Sequence, residues 1–308
     1  MTSRAELTRR LCLPDGTRAI ILNADDFGMC HAANVAIGEL LDAGRIDSAT
    51  VMVPCAWAPE ALAFAADRPD LDVGVHLVLT SEWTRYRWRP LTDGPTLVDE
   101  SGFFPAAVAT VEERAALDEV AAELDAQVQA ALDAGVDVTH LDNHMGSVYG
   151  LETGRDFLET VFALAARFGL PFRLPRRMDG DETDAVLRDK LSRAAAAADA
   201  LGIEIVDRLW THPFELVGEG TETEETYEQV RESFVALLRA APPGVTEIYL
   251  HPMVDGDELR AAVDFAARKR EYERRLLEDP VVLRAIEEEG LVRIGWRDLR
   301  ALQRGEAR

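Results

Sequence analysis

Asp25 and Asp26 stand side by side at the end of an apolar run, in ILNADDFGM, and a helical pattern begins directly after them. Two like charges at a strand end disfavour each other's ionisation when partly buried, so such a pair needs a cation or a proton to manage. Histidines complete the set. His76 lies in VGVHLVLT, His140 and His144 bracket HLDNH, and His251 follows EIYL. One carboxylate with two histidines is a common ligand set for a divalent metal that leaves positions open for water and substrate. His76 and one histidine of HLDNH can join one aspartate in this way. The other aspartate is then placed as general base on a water. Asp142, inside HLDNH, either orients a ligand histidine or caps a turn.

Each residue also has a plainer use. An aspartate before a helix can serve as its N-cap. His76 can be a hydrogen-bonded core histidine, and His251 before Pro252 can be turn punctuation. His31 and His212 are left to such readings. What favours chemistry is that Asp25, Asp26, His140, His144 and His251 all fall at strand ends.

Those ends come from the alternation along the chain. Apolar runs at 18–23, 48–53, 72–79, 137–142, 171–174, 203–207, 246–250 and 291–294 read as strands. Helical patterns lie between them near 32–43, 58–67, 111–134, 153–168, 181–201, 222–240, 257–289 and 296–303, with Gly or Pro at many joins. About eight βα units imply one α/β domain over residues 1–308, a distorted (β/α) barrel of about seven to eight parallel strands. An open doubly wound sheet is the alternative. In either fold the loops after the strands' carboxyl ends build the active site. One interruption, residues 80–109, is rich in Gly and Pro and holds Trp83, Tyr86 and Trp88. It reads as an ordered lid, whose Trp83 and Trp88 offer a platform for sugar faces. Arg173, ending the fifth strand candidate, either pairs with Asp25 and keeps it ionised or sits on a solvated rim.

Composition excludes whole classes of function. A formal charge of −23 argues against nucleic acid and against an anionic membrane surface. No stretch approaches the ~20 apolar residues of a membrane span, and no apolar leader opens the chain. Cys12, Cys30 and Cys55 form no paired pattern and read as buried, reduced thiols, so a cytoplasmic location is expected. Homo-oligomerisation stays open.

Taken in order, NADDFGM, GVHLVLT, THLDNH and a late HP resemble the YdjC/ChbG-type carbohydrate deacetylases over roughly residues 18–300. The resemblance implies a distorted βα barrel that removes acetyl groups from N-acetylated sugars such as chitooligosaccharides, with one divalent ion, Mg2+ or Zn2+. It assigns the base to Asp25, the metal ligands to Asp26, His76 and His144, and the general acid to His251. His140 would support the site without ligating. This sequence departs from the family where further histidines often follow the second His of HLDNH: Met145, Gly146 and Ser147 stand there instead, so the adjoining substrate wall differs. The same ligands would also suit a metal-dependent hydrolase of another bond, such as a phosphoester, with FRLPRR (Arg173, Arg176, Arg177) supplying cations. A non-catalytic carbohydrate-binding protein is the third reading.

Overall fold

The computed structural model describes residues 6–178 and 185–306. A short helix α1 (Leu7–Arg10) leads into β1 (Arg18–Phe27), α2 (His31–Asp42), β2 (Ser48–Val51), α3 (Ala58–Ala66) and β3 (Val73–Leu77). Helices α4 (Val108–Arg114) and α5 (Leu117–Asp133) precede β4 (Leu141–Asn143), α6 (Leu158–Phe168) and α7 (Ala185–Ala200). Then come β5 (Arg208–Thr211), α8 (Tyr227–Ala240), β6 (Gly244–Leu250), α9 (Asp257–Ala262), α10 (Ala267–Glu278) and α11 (Pro280–Glu288). β7 (Val292–Arg293) and α12 (Trp296–Arg304) complete the described order.

All strand pairs are parallel, in the order β4-β3-β2-β1-β6-β5, and β7 pairs with the amino end of β1. The sheet curls into a distorted barrel in a single α/β domain, as the alternation predicts. Two expected strands differ. The run 171–174 is not a strand but a single bridge, Phe172 to Leu141, and the run 203–207 gives way to β5 a few residues later. Irregular backbone nevertheless spans the gap between β4 and β5. Arg173 N donates to Leu141 O, Phe172 N to Glu204 O, and Asp207 N to Val245 O. Buried backbone polar groups must be paired, and here they are paired without regular strand geometry.

Patterns expected as one helix over 111–134 and one over 257–289 are broken into α4–α5 and α9–α11. Pro280 stops α10 and opens α11, where its missing N–H costs nothing. The first four residues of the helix expected at 181–201 lie outside the described residues. No described helix is long and apolar enough to cross a membrane. Cys30 and Cys55 are buried as expected, whereas Cys12 is exposed.

Outward-facing residues of β1, Ile20, Leu22 and Ala24, belong to the large core between strands and helices. Ala19 and Ile21 point the other way, into a smaller cluster with Leu7, Leu11, Trp296 and Leu299 that plugs the barrel's amino end. Above this plug the interior turns polar. His140 is fully buried and stacks on Trp296, with ring centroids 4.9 Å apart at 6°. Gly74 makes room for it: a Cβ there would lie 2.6 Å from His140 Nδ1.

Burial, helped by Arg173 and His76, holds His140 well below its usual value of 6.5, so it is neutral in the fold but protonates in the unfolded chain. Unfolding therefore takes up a proton below that pH, and stability falls as pH drops, by at most about 1.4 kcal/mol per pH unit. Denaturant titrations of His140→Gln should show a shallower fall between pH 6.5 and acid. A slope equal to that of the native chain would remove His140 from the acid sensitivity.

Candidate metal centre

A regular strand sends adjacent side chains to opposite faces, yet Asp25 and Asp26 both line one cavity. The backbone explains how. The register between β1 and β2 slips between Ala24 and Phe27, and Asp26 takes a left-handed conformation with φ +67°. Such a bulge re-aims a side chain at a cost of about 1–3 kcal/mol, held in place by the surroundings.

The two carboxylates then meet different partners. Asp25 is clamped by Arg173, Nη1 to Oδ2 at 2.7 Å and Nη2 to Oδ1 at 2.7 Å, and Oδ1 also accepts from Asn23 Nδ2 at 2.8 Å. Burial raises its pKa, but Arg173 and His76 outweigh it and hold the carboxyl below the usual range. The clamp keeps Asp25 ionised while weakening it as a base. Arg173 is itself buried, not on a solvated rim, and bonds also to Asp142 at 2.9 Å and Glu247 at 2.8 Å. Burial pushes Glu247 up to about 7, against Arg173, so it titrates near neutrality.

Asp26 uses only one oxygen. Oδ2 accepts from Arg270 Nη1 at 2.9 Å, and Oδ1 is buried with no hydrogen-bond partner. His144 Nδ1 lies 3.5 Å and His76 Nε2 3.8 Å from that oxygen. These three atoms lie within 4.8 Å of one another. An ionised oxygen left bare in a protein interior costs several kcal/mol unless something cationic meets it, and two imidazole nitrogens face the same space. The donor set therefore fits a divalent cation. Burial raises Asp26's pKa, yet His144, His251 and Arg270 draw it well below the carboxylate range, so Asp26 stands ready as an anionic ligand.

Each histidine is oriented from behind by a carboxylate. His76 Nδ1 meets Asp142 Oδ1 at 2.7 Å, and Asp142 Oδ2 accepts from Thr50 at 2.9 Å. His144 Nε2 meets Glu82 Oε2 at 2.9 Å. Such partners fix the tautomer and ring direction of a ligand histidine. Burial alone would depress His144, but Glu82 and Asp26 push it up to about 10. Across the cavity His251 packs edge-on against Phe214 and Tyr249, at 5.1 and 5.7 Å between centroids. Its Nδ1 is 3.8 Å from Glu273 Oε2, and Lys269 Nζ bonds Glu273 at 2.6 Å. Burial raises Glu273's pKa, but Lys269 and His251 bring it down to about 2, so an ionised carboxylate backs His251.

Of the residues singled out in the sequence, Asp25, Asp26, His76, His144, His251, Arg173 and Trp83 line a cavity of about 720 Å³. His140 and Asp142 lie behind it. Both tryptophans of the 80–109 segment are nearly fully buried, Trp83 at 1% and Trp88 at 3% exposed. Trp83 lines the cavity, whereas Trp88 donates Nε1 to Thr80 O and packs its ring 5.8 Å from His144. Residues that the sequence reading missed are Glu82, Arg270, Glu247 and the Lys269–Glu273 pair. Arg270 and Lys269 sit in ARKREYERR, which has the composition of a solvated helix; nothing local marks them as buried. For the phosphoester reading, both arginines lining the cavity are already committed to carboxylates, and Arg176 pairs with Asp199 at 2.8 Å.

A curled parallel barrel with an Asp–His–His cradle at the carboxyl ends of its strands defines an α/β protein with a candidate single-metal centre. The chain belongs to the YdjC-like protein family, which it matches over residues 19–288. It is 33% identical over 267 residues to a carbohydrate deacetylase of Thermus thermophilus, covering 87% of this chain and 89% of that one. A carbohydrate deacetylase of Thermoanaerobacter pseudethanolicus is 27% identical over 276 residues, 89% of this chain and 96% of that one. The solved structure of a candidate cellobiose-phosphate cleavage protein of Enterococcus faecalis matches with a TM-score of 0.71 at 26% identity, covering 92% of this chain and 99% of that one.

Removing the Arg173 charge exposes its role. Arg173→Met leaves Asp25, Asp142 and Glu247 buried without their cation, and the unfolding free energy should fall by about 3–5 kcal/mol. Asp25's pKa should rise, so the acidic limb of any pH–rate profile moves to higher pH. Arg173→Lys keeps the charge without the bidentate grip and should shift that limb less. An unmoved limb in both variants would show that Asp25 does not limit the rate.

Proposed function

We propose that this chain is a metal-dependent carbohydrate N-deacetylase that removes acetyl from N-acetylated, chitooligosaccharide-like sugars. The observation that carries the reading is the bare oxygen of Asp26 between two carboxylate-backed histidines, with Asp25 and His251 facing the same cavity. Asp26, His76 and His144 are the ligands, and two imidazole nitrogens with one carboxylate suit Zn2+ better than Mg2+, which prefers oxygen ligands. When bound, the cation supplies Lewis-acid polarisation of the acetamide carbonyl and of water.

The chain's own groups handle the protons. Asp25 accepts one from the attacking water, its carboxylate held ionised and oriented by Arg173. His251 gives one to the departing amide nitrogen, its ring held with Nδ1 3.8 Å from the Glu273 carboxylate. Acetate and the free amino sugar leave. Phe265, packed on the buried Trp83, and Phe214 beside it offer exposed rings on which the sugar's C–H face can lie. Naming of the bacterial relatives as carbohydrate deacetylases supports the substrate class. Unpaired cysteines support a cytoplasmic location.

Asparagine replacements separate the two aspartates. Asp25→Asn should keep its metal and lose on the order of 10²–10⁴-fold in kcat, the range of general acid–base catalysis. Asp26→Asn should lose metal first and regain part of its activity in excess metal, read by metal analysis beside acetate release. The reverse pattern would exchange the roles, and near-full activity in both would sink the deacetylase reading.

Glu82 predicts a second effect. Glu82→Gln removes the carboxylate behind His144 and should weaken metal affinity about 10–100-fold, with the ligand set intact. Unchanged affinity in a metal titration would limit Glu82 to packing.

A further inference from the structure

The cavity is larger than its catalytic end and changes character along its length. Around Trp83, Phe214 and Phe265 it offers aromatic faces beside the charged groups. On the side of α6 and α7 it is walled by Leu158, Leu174, Met178, Leu187, Leu191 and Ala194. Leu187, Leu191 and Ala194 follow one another at four- and three-residue spacing, so one stripe of α7 faces the cavity. Lys190 is the basic side chain on this wall, and its Nζ is engaged by Gly150 O at 2.8 Å.

This arm opens into a groove of about 880 Å³ between α6 and α7, sharing Leu151, Leu158, Leu187, Lys190 and Ala194 with the cavity. Of the groove's charged side chains, Lys190 pairs with Asp156 at 3.6 Å and Arg193 with Asp189 at 3.2 Å. Large apolar side chains that would ordinarily be buried stand open along the groove, Leu151 at 58%, Val186 at 70% and Leu201 at 54% exposed, with Met178 at 47% on the adjoining cavity wall. Met145, left-handed at φ +54°, adds a further one at the cavity mouth. A contiguous apolar patch that continues a catalytic cavity marks a ligand surface.

A second sugar ring would be a poor occupant. Each hydroxyl placed against leucines gives up its water without a new partner, at a cost comparable to a lost hydrogen bond. An alkyl or aryl group gains there. We propose that the substrate is an amphiphilic sugar amide: its N-acylated sugar ring lies at the metal centre, and an apolar group of several carbons runs along the α6–α7 arm. The inference rests on the deacetylase reading and narrows it from free chitooligosaccharides to hydrophobically substituted sugars. That substituent can be attached through the anomeric oxygen or be the acyl chain itself; the chemistry recognised is the same.

Two substrate series with the metal-loaded enzyme separate these attachments. In one, methyl, butyl and octyl glycosides of N-acetylglucosamine are compared below their micelle concentrations; in the other, glucosamine bears acetyl, butyryl or octanoyl on nitrogen. In one of the series kcat/KM should rise by about fourfold per buried methylene until the arm is filled. Leu187→Ser and Leu191→Ser should lower the octyl-to-methyl, or octanoyl-to-acetyl, ratio. Flat or falling kcat/KM in both series overturns the proposal while leaving deacetylation intact, and so does a tail preference that neither serine variant changes. Calorimetry with octyl and methyl glucosides, which carry no amide, reads the arm independently of catalysis. Preferential octyl binding by a chain that deacetylates no sugar supports the arm and sinks the deacetylase reading alone. A dimer dissolved by the serine substitutions, with no octyl binding, assigns the patch to a second copy and overturns the proposal.

Discussion

Two ionised carboxylates on adjacent residues at the floor of one cavity cannot share one counterion, and the rest of the site follows from how they are separated. Their Coulomb repulsion would force a proton onto one of them unless each received its own cation. Arg173 arrives from the irregular segment after the Phe172 bridge and takes both oxygens of Asp25. Arg270 arrives from α10 and takes one oxygen of Asp26. The strained backbone at Asp26 turns its remaining oxygen toward the histidines. Separate cations thus make separate environments, and separate environments are what let two identical side chains hold different roles.

The barrel's irregularity serves that arrangement. Regular pairing at 171–174 would have completed the ring of strands, but a strand alternates its side chains between faces. The single bridge at Phe172 still pairs the backbone while Arg173 reaches Asp25, Asp142 and Glu247 at once. Three carboxylates on one guanidinium leave an excess of negative charge, and Glu247, pushed up to about 7, absorbs part of it.

Behind the ligand candidates the same device recurs with different donors. Asp142 holds His76, Glu82 holds His144, and Glu273 backs His251 with Lys269 behind it. Each carboxylate comes from a different part of the fold: β4, the aromatic segment and α10. The aromatic segment therefore does more than cover the cavity. It delivers Glu82 and Trp83 to the site and packs Trp88 against the His144 ring.

The parallel α/β alternation is legible along the chain, because apolar periodicity and Gly/Pro punctuation are local properties. The sequence also marked Asp25, Asp26, His144 and His251, because chemistry-bearing residues at strand ends tend to share one mouth of a barrel; His140, marked on the same ground, lies behind the cavity. Motif order sufficed to suggest the family. Only the tertiary structure decided what neutralises each charge. Arg270, Lys269 and Glu273 lie in a charged helix run whose period and composition match a solvated helix, and packing alone buries them. Trp88 and Trp83 read alike in the sequence, yet one braces a histidine and the other faces the cavity. Burial and counterions are long-range facts: they depend on which segments the fold brings within a few ångströms, and residue spacing along the chain does not encode that.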